Sequence, residues 1–189
     1  MKPTIPKTAK KVFEGVTFSI WQWEQEQFDG SYKTFEVASR RDSATIVLVV
    51  NGKIIINEEE QPGHEPFISL PGGEFDLSES DPLLAAQREL REETGYIGGE
   101  WELWRETWIG YRIVNTHYIY IVREANNAGQ QKLDSGGEKI IVRELSFDEF
   151  IALKDEPKFR NRDFLSILEK ASTNKEYKEE IRKKLFGTV

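Results

Sequence analysis

The chain has 189 residues, with 26 Lys+Arg against 33 Asp+Glu, a formal net charge of −7 and 38% hydrophobic residues. That length and balance suit one compact domain with small extensions, and they argue against a general nucleic-acid coat or a polybasic membrane binder. Cysteine is absent and the two histidines, His64 and His117, lie far apart, which excludes disulfides, thiolate-held zinc, iron–sulfur clusters and thiol nucleophiles and leaves carboxylates to hold any metal, as suits a hard ion such as Mg²⁺ or Mn²⁺.

Met1 to Lys11 is basic and polar. It has no apolar run of the signal-peptide kind, and no later run is long enough to span a membrane, so a cytoplasmic setting is expected. No repeat or low-complexity linker divides the chain. Val16 to Trp23 is dense in partly alternating apolar residues and reads as a strand. Asp29-Gly30 marks a turn, and Tyr32 to Ala38 alternates again. Ala44 to Val50 is a β-branched run joined by Asn51-Gly52 to Lys53–Asn57. Asn-Gly between two such runs predicts a hairpin, because a type I′ turn needs positive φ at both central positions. Phe67 to Leu70 is a short strand ending at Pro71-Gly72-Gly73.

Asp81-Pro82 opens a helix as cap and first residue, and Gly95 closes it. Trp101 to Trp108, Val114 to Val122 and Lys139 to Leu145 read as strands, with a polar loop over Asn126 to Gly137. Ser146 and Glu149 make a capping-box pattern for a helix towards Lys154. Two more amphipathic helices are expected over Asn161–Ala171 and Lys175–Leu185. The order is that of a mixed sheet sandwiched by helices, not an alternating βαβ chain.

The acidity is concentrated. From Glu58 to Glu93 eleven acids face only Arg88 and Arg91, leaving −9 in that stretch and +2 in the rest of the chain. Within the helix, Glu89, Glu92 and Glu93 stand at i, i+3 and i+4 and share a face. Like charges at that spacing destabilise an isolated helix by a few tenths of a kcal/mol per pair; a divalent cation would reverse the sign. Either they pair with Arg88, Arg91 or outside partners, or they hold a metal. Ala85 and Ala86, one turn earlier, are expected to leave room for a ligand, with Leu83, Leu90 and Thr94 packing on the sheet.

The stretch Gly73-Glu-Phe-Asp-Leu-Ser-Glu79, then Arg88-Glu89-Leu90-Arg91-Glu92-Glu93-Thr94-Gly95-Tyr96, resembles the Nudix box, G-x5-E-x7-R-E-U-x-E-E-x-G-U, with U a bulky apolar residue. Eight residues, Ser80 to Gln87, stand between Glu79 and Arg88 where seven are usual. The resemblance implies an α/β (α+β) fold, a Nudix-type α/β/α sandwich. It implies a hydrolase of a nucleoside diphosphate linked to another moiety, working with Mg²⁺ (or Mn²⁺). By motif position Glu89 and Glu93 would be metal ligands, Glu92 a further ligand or the holder of a metal-bound water, and the Gly72 carbonyl a further member of the shell. Arg88 would orient a glutamate, with Glu79 as partner.

Val12 to Phe18, Phe28-Asp29-Gly30, Phe35-Glu36-Val37 and Arg40-Arg41 look like the N-terminal arm of the ADP-ribose pyrophosphatase subgroup, so the resemblance spans most of residues 12–155. It implies a β arm over residues 1–42, antiparallel and exchanged in a homodimer, a catalytic core over 43–157 and a helical extension over 158–189, whose role the sequence does not assign. Trp21 and Trp23 would then either pack at the interface or stack on a base. Arg40 and Arg41 either contact phosphate or ribose or end a solvated strand, and Arg112 is a further candidate. Glu138, in the Gly-containing loop, is the expected general base, with Asp134 in reserve; the alternative is a plain acidic loop tip.

The implied reaction is cleavage of ADP-ribose to AMP and ribose 5-phosphate; other sugar nucleotides and dinucleoside polyphosphates are the alternatives. The run Glu58-Glu59-Glu60 departs from the subgroup, which carries an arginine there. Non-catalytic sensors on the same fold often lose box carboxylates, which are all present here, and an isoprenoid diphosphate isomerase is expected to carry a catalytic cysteine.

Overall fold

The computed structural model describes residues 4–108, 110–133 and 137–187. The chain runs through β1 (Lys10–Glu14), β2 (Ser19–Glu26), β3 (Tyr32–Ser39), β4 (Ser43–Val50), β5 (Lys53–Glu60) and β6 (Phe67–Ser69) to the helix α1 (Pro82–Thr94). Then come β7 (Tyr96–Ile97), β8 (Glu100–Thr107), β9 (Ile113–Val114), β10 (His117–Arg123), β11 (Asn126–Asn127) and β12 (Lys139–Leu145). Three helices finish it: α2 (Phe147–Ala152), α3 (Leu165–Thr173) and α4 (Lys175–Phe186).

The central sheet has the order β12-β5-β4-β10-β8, with β6 paired to β5. Only β10 on β4 is parallel within it; its other pairs are antiparallel. Period-two alternation divides its residues between two layers. Ala44, Ile46 and Leu48 of β4 face α1, with Phe75, Ala85, Ala86 and Leu90. Val47 and Val49 face the opposite layer, where Phe150, Phe159, Phe164, Leu168, Ile181 and Leu185 close the second core. Full burial of each such side chain is worth about 1.5–3 kcal/mol, so the C-terminal helices are one outer layer of the sandwich rather than an appendage.

The hairpin between β4 and β5 turns at Asn51 and Gly52, with φ of 50° and 72°, as the Asn-Gly pair requires. The N-terminal sheet has the order β1-β2-β3-β9, with β9 parallel to β3. Strand β1 goes beyond the expectation of a plain polar N-terminus: its residues are all exposed and pair only with β2. The expected helix from Asn161 is a 3₁₀ turn over Arg162–Phe164 before α3 begins, with no side-chain cap on Asn161 because its Oδ1 instead accepts from the Leu70 N–H at 2.8 Å. No helix among the described residues is long and apolar enough to cross a membrane.

Candidate active site

Helix α1 is set by its ends. The Asp81 carboxylate accepts from the N–H of Leu83 at 2.9 Å and of Leu84 at 3.4 Å, and Gly95 closes the helix at φ 75°. Between these caps Glu93 points inward and is buried. Its Oε2 accepts from the Gly72 N–H at 2.8 Å and from the Asn57 side-chain amide at 3.0 Å. Gly72 sits against β4: the flanking Pro71 and Gly73 carbonyls accept from Ile46 and Ala44 at 2.8 and 2.9 Å. A Cβ on Gly72 would lie 2.1 Å from the Ala44 carbonyl oxygen, so only glycine permits this approach.

Arg88 gathers the acids around it. Its Nε and Nη2 donate to the two oxygens of Glu79 at 2.8 and 2.9 Å, its Nη2 lies 2.8 Å from Glu89 Oε1, and its Nη1 donates to Glu92 Oε2 at 2.8 Å. The Glu79 bonds, above all, raise the guanidinium's pKa further and lower that of Glu79. Despite the extra residue between them, Glu79 reaches Arg88 from the loop ahead of α1, where it also accepts from the Asp76 N–H at 2.8 Å.

The alternation of β5 explains the Glu58–Glu60 run. Ile55 faces α1, and two and four residues on, Asn57 and Glu59 point the same way. Glu58 and Glu60 face outward, paired with Arg143 and Lys139 of β12 at 3.2 and 3.4 Å. Glu59 is 6% exposed and accepts from the Ser69 hydroxyl. Glu138 has its Oε1 accepting from Gln61 at 2.8 Å, and Glu59, Glu89, Glu93 and Glu138 line one cavity of about 390 Å³ with Gly72 and the arginine-paired Glu74. Burial pushes Glu89 up to about 7, Glu93 well above its ordinary value and Glu59 upward, and their like-charged neighbours add to the rise for Glu93.

This donor set is all oxygen and in excess of its cations, which fits a hard divalent ion and no softer one. Among the described residues no three acidic or imidazole groups already converge on one point; Glu89 and Glu92 are each drawn to Arg88.

The remaining sequence candidates fall in different places. Arg40 lines the cavity but is paired with Glu74, and Arg41 binds the other Glu74 oxygen at 3.0 Å. Trp21 and Trp23 lie on β2, where their indole N–H groups donate to Ser39 and Gln25 at 2.9 and 3.1 Å. Arg112 stacks on Phe35 of the arm, 4.9 Å from the ring centroid. None of these last three lines the cavity. Asp134 lies outside the described residues. Ala85 and Ala86 do not leave room for a ligand: both are fully buried against Ala44 and Ile46, because small residues here let α1 approach the sheet.

Asn57, Glu59, His117, Arg160 and Asn161 line or support the site without having been singled out as site residues. Strand parity, counted from the Asn-Gly hairpin, would have placed the first two; the others reach the site only through tertiary packing.

A helix carrying Arg-Glu-x-x-Glu-Glu under a glycine loop, on an α/β/α sandwich, defines a Nudix pyrophosphohydrolase. The chain belongs to that family: the model of the NUDIX domain matches residues 39–166. The match runs past residue 155 into the C-terminal segment and starts at the end of the arm. The fold is similar to that in "Crystal structure of ADP compounds hydrolase", with a TM-score of 0.70 and 19% identity over 96% of this chain and 97% of that one. No curated protein matches the sequence.

Proposed function

We propose that the chain hydrolyses the diphosphate bond of a nucleoside diphosphate derivative, with ADP-ribose cleaved to AMP and ribose 5-phosphate, in a divalent-metal-dependent reaction. The observation that carries this reading is the meeting of Glu59, Glu89, Glu93 and Glu138 on one cavity below Gly72. The similar structure is that of an ADP compounds hydrolase, which supports the choice of substrate class.

Glu89, Glu93 and the Gly72 carbonyl would hold Mg²⁺ or Mn²⁺, with Glu92 beside them. Bound there, the ion would neutralise phosphate charge and lower the pKa of a water. Asn57 and the Gly72 N–H fix the Glu93 carboxylate, and Arg88 fixes Glu89 and Glu92. Glu138, on the cavity wall and held at Oε1 by Gln61, would take the proton of the attacking water.

The proposal extends to the assembly. Val12, Phe13, Val16, Phe28 and Tyr32 of the arm are more than half exposed. Apolar exposure of that kind on one small sheet and the turns joining its strands supports an arm exchanged between two copies.

The test is a screen of ADP-ribose, sugar nucleotides, dinucleoside polyphosphates and nucleoside triphosphates with Mg²⁺ or Mn²⁺. Hydrolysis of ADP-ribose, with kcat lowered by orders of magnitude in Glu93→Gln while circular dichroism is unchanged, supports the reading. No cleavage of any compound sinks it, and calorimetric binding of ADP-ribose without AMP release replaces it with a sensor.

A further inference from the structure

We infer that Arg160, carried by the segment after α2, binds an anionic phosphoryl group of the substrate. The inference rests on the cavity being a nucleoside diphosphate site.

Five acids, Glu59, Glu74, Glu89, Glu93 and Glu138, line the cavity, and its cations are few. Arg40 is held by Glu74. His117 has Nδ1 at 2.8 Å from Ser43 Oγ and Nε2 at 3.9 Å from Asp163, and burial lowers its pKa. Arg160 also lines the cavity, and no carboxylate among the described residues lies within ion-pair distance of it. It is exposed, so a ligand can reach it.

Its placement is built rather than loose. The backbone pairs with β6 on both sides: the Ile68 N–H donates to Lys158 at 2.9 Å and the Arg160 N–H to Ile68 at 2.8 Å. Phe159, between them, is fully buried and anchors the segment in the core. The Arg160 guanidinium lies over the Phe67 ring, 3.6 Å from its centroid, and Phe67 is itself buried. The ring covers one face of the guanidinium and restrains it, while the N–H donors lie in the guanidinium plane. One of them is 3.4 Å from His64 Nδ1. A planar fork held in this way matches two phosphoryl oxygens. It also serves a physical need: a polyanion entering a cavity walled by Glu59, Glu93 and Glu138 requires a cation there, and Arg160 attracts Glu59 across the cavity without being locked to it in an ion pair among the described residues.

The test is made on the full chain with Mg²⁺, by ADP-ribose kinetics and by calorimetric titration of ADP. Arg160→Ala should raise KM for ADP-ribose about tenfold or more and leave kcat within about threefold, as loss of a charge-assisted hydrogen bond predicts. ADP affinity should fall by a similar factor, and Arg160→Lys should recover part of it. A role limited to covering Phe67 predicts a lower melting temperature with KM and ADP affinity unchanged, and that result overturns the proposal. If the wild type hydrolyses no nucleotide, the functional reading falls by itself. ADP binding then decides Arg160: wild type and Arg160→Ala binding within twofold, or neither binding, rejects it.

Discussion

The side-chain amide of Asn57, on β5, donates to the carboxylate of Glu93, on α1, across 3.0 Å of buried interior. Asn57 is fully buried, and its Oδ1 has no hydrogen-bond partner among the described residues. An unsatisfied buried oxygen costs stability, so this residue is poorly explained by packing alone and well explained by its hold on Glu93. Asn57→Ala should weaken Mg²⁺ binding or activity about 10–100-fold, the usual effect of removing a residue that orients a metal ligand. Isothermal titration with Mg²⁺, set beside a urea melt, separates this from unfolding; unchanged Mg²⁺ affinity and activity would refute it.

Gly72 is the second constraint on Glu93. Gly72→Ala places a methyl 2.1 Å from the Ala44 carbonyl oxygen, and relief requires the loop to leave β4. The expected cost is about 3 kcal/mol of stability, with loss of the Gly72 N–H bond to Glu93. Chemical denaturation measures it, and a change below about 0.5 kcal/mol would show that the loop can yield.

The pH response of the metal-free protein follows from Glu89. Its pKa rises from the ordinary 4.5 to about 7 in the folded chain. Between those values the native state keeps a proton that the unfolded chain has lost. Its contribution therefore makes stability fall as pH rises through the window. Glu93 and Glu59 shift in the same direction. Glu89→Gln should flatten this part of the profile, and Mg²⁺ should stabilise the wild type more at pH 8 than at pH 5, since it competes with protons for the same oxygens. Thermal melts across pH, with and without Mg²⁺, provide the measurement; identical profiles for wild type and variant would contradict it.

Val16 is 96% exposed and Phe13 57% exposed on the arm. If two copies exchange these arms, Val16→Asp with Phe13→Asp should convert a dimer to a monomer on analytical ultracentrifugation. A wild type that sediments as a monomer removes the dimer from the account.

Much of the site was legible because its information is local. Helix α1 advertises both caps, Asp81 and Gly95, and the i, i+3, i+4 spacing of Glu89, Glu92 and Glu93 puts them on one side wherever the helix lies. The Asn51-Gly52 turn and the Ser146–Glu149 box were equally local and formed where expected. The reading of Ala85 and Ala86 as space for a ligand failed because that depended on the helix-to-sheet distance, which no single segment encodes.

The opening charge shows the same division. By itself the sequence determined that the surplus lies between Glu58 and Glu93, that a metal must meet oxygen ligands, and that the chain carries a Nudix box. The tertiary structure alone decided which acids act together. Hairpin register turned Glu59 inward to Glu93 and left Glu58 and Glu60 to β12. Packing of the C-terminal layer brought Arg160 and Asn161 to a cavity whose carboxylates begin about a hundred residues earlier, at Glu59. Strand parity and helix spacing follow from backbone geometry within a few residues, whereas these meetings depend on how layers stack, and burial of both apolar faces of the sheet sets that.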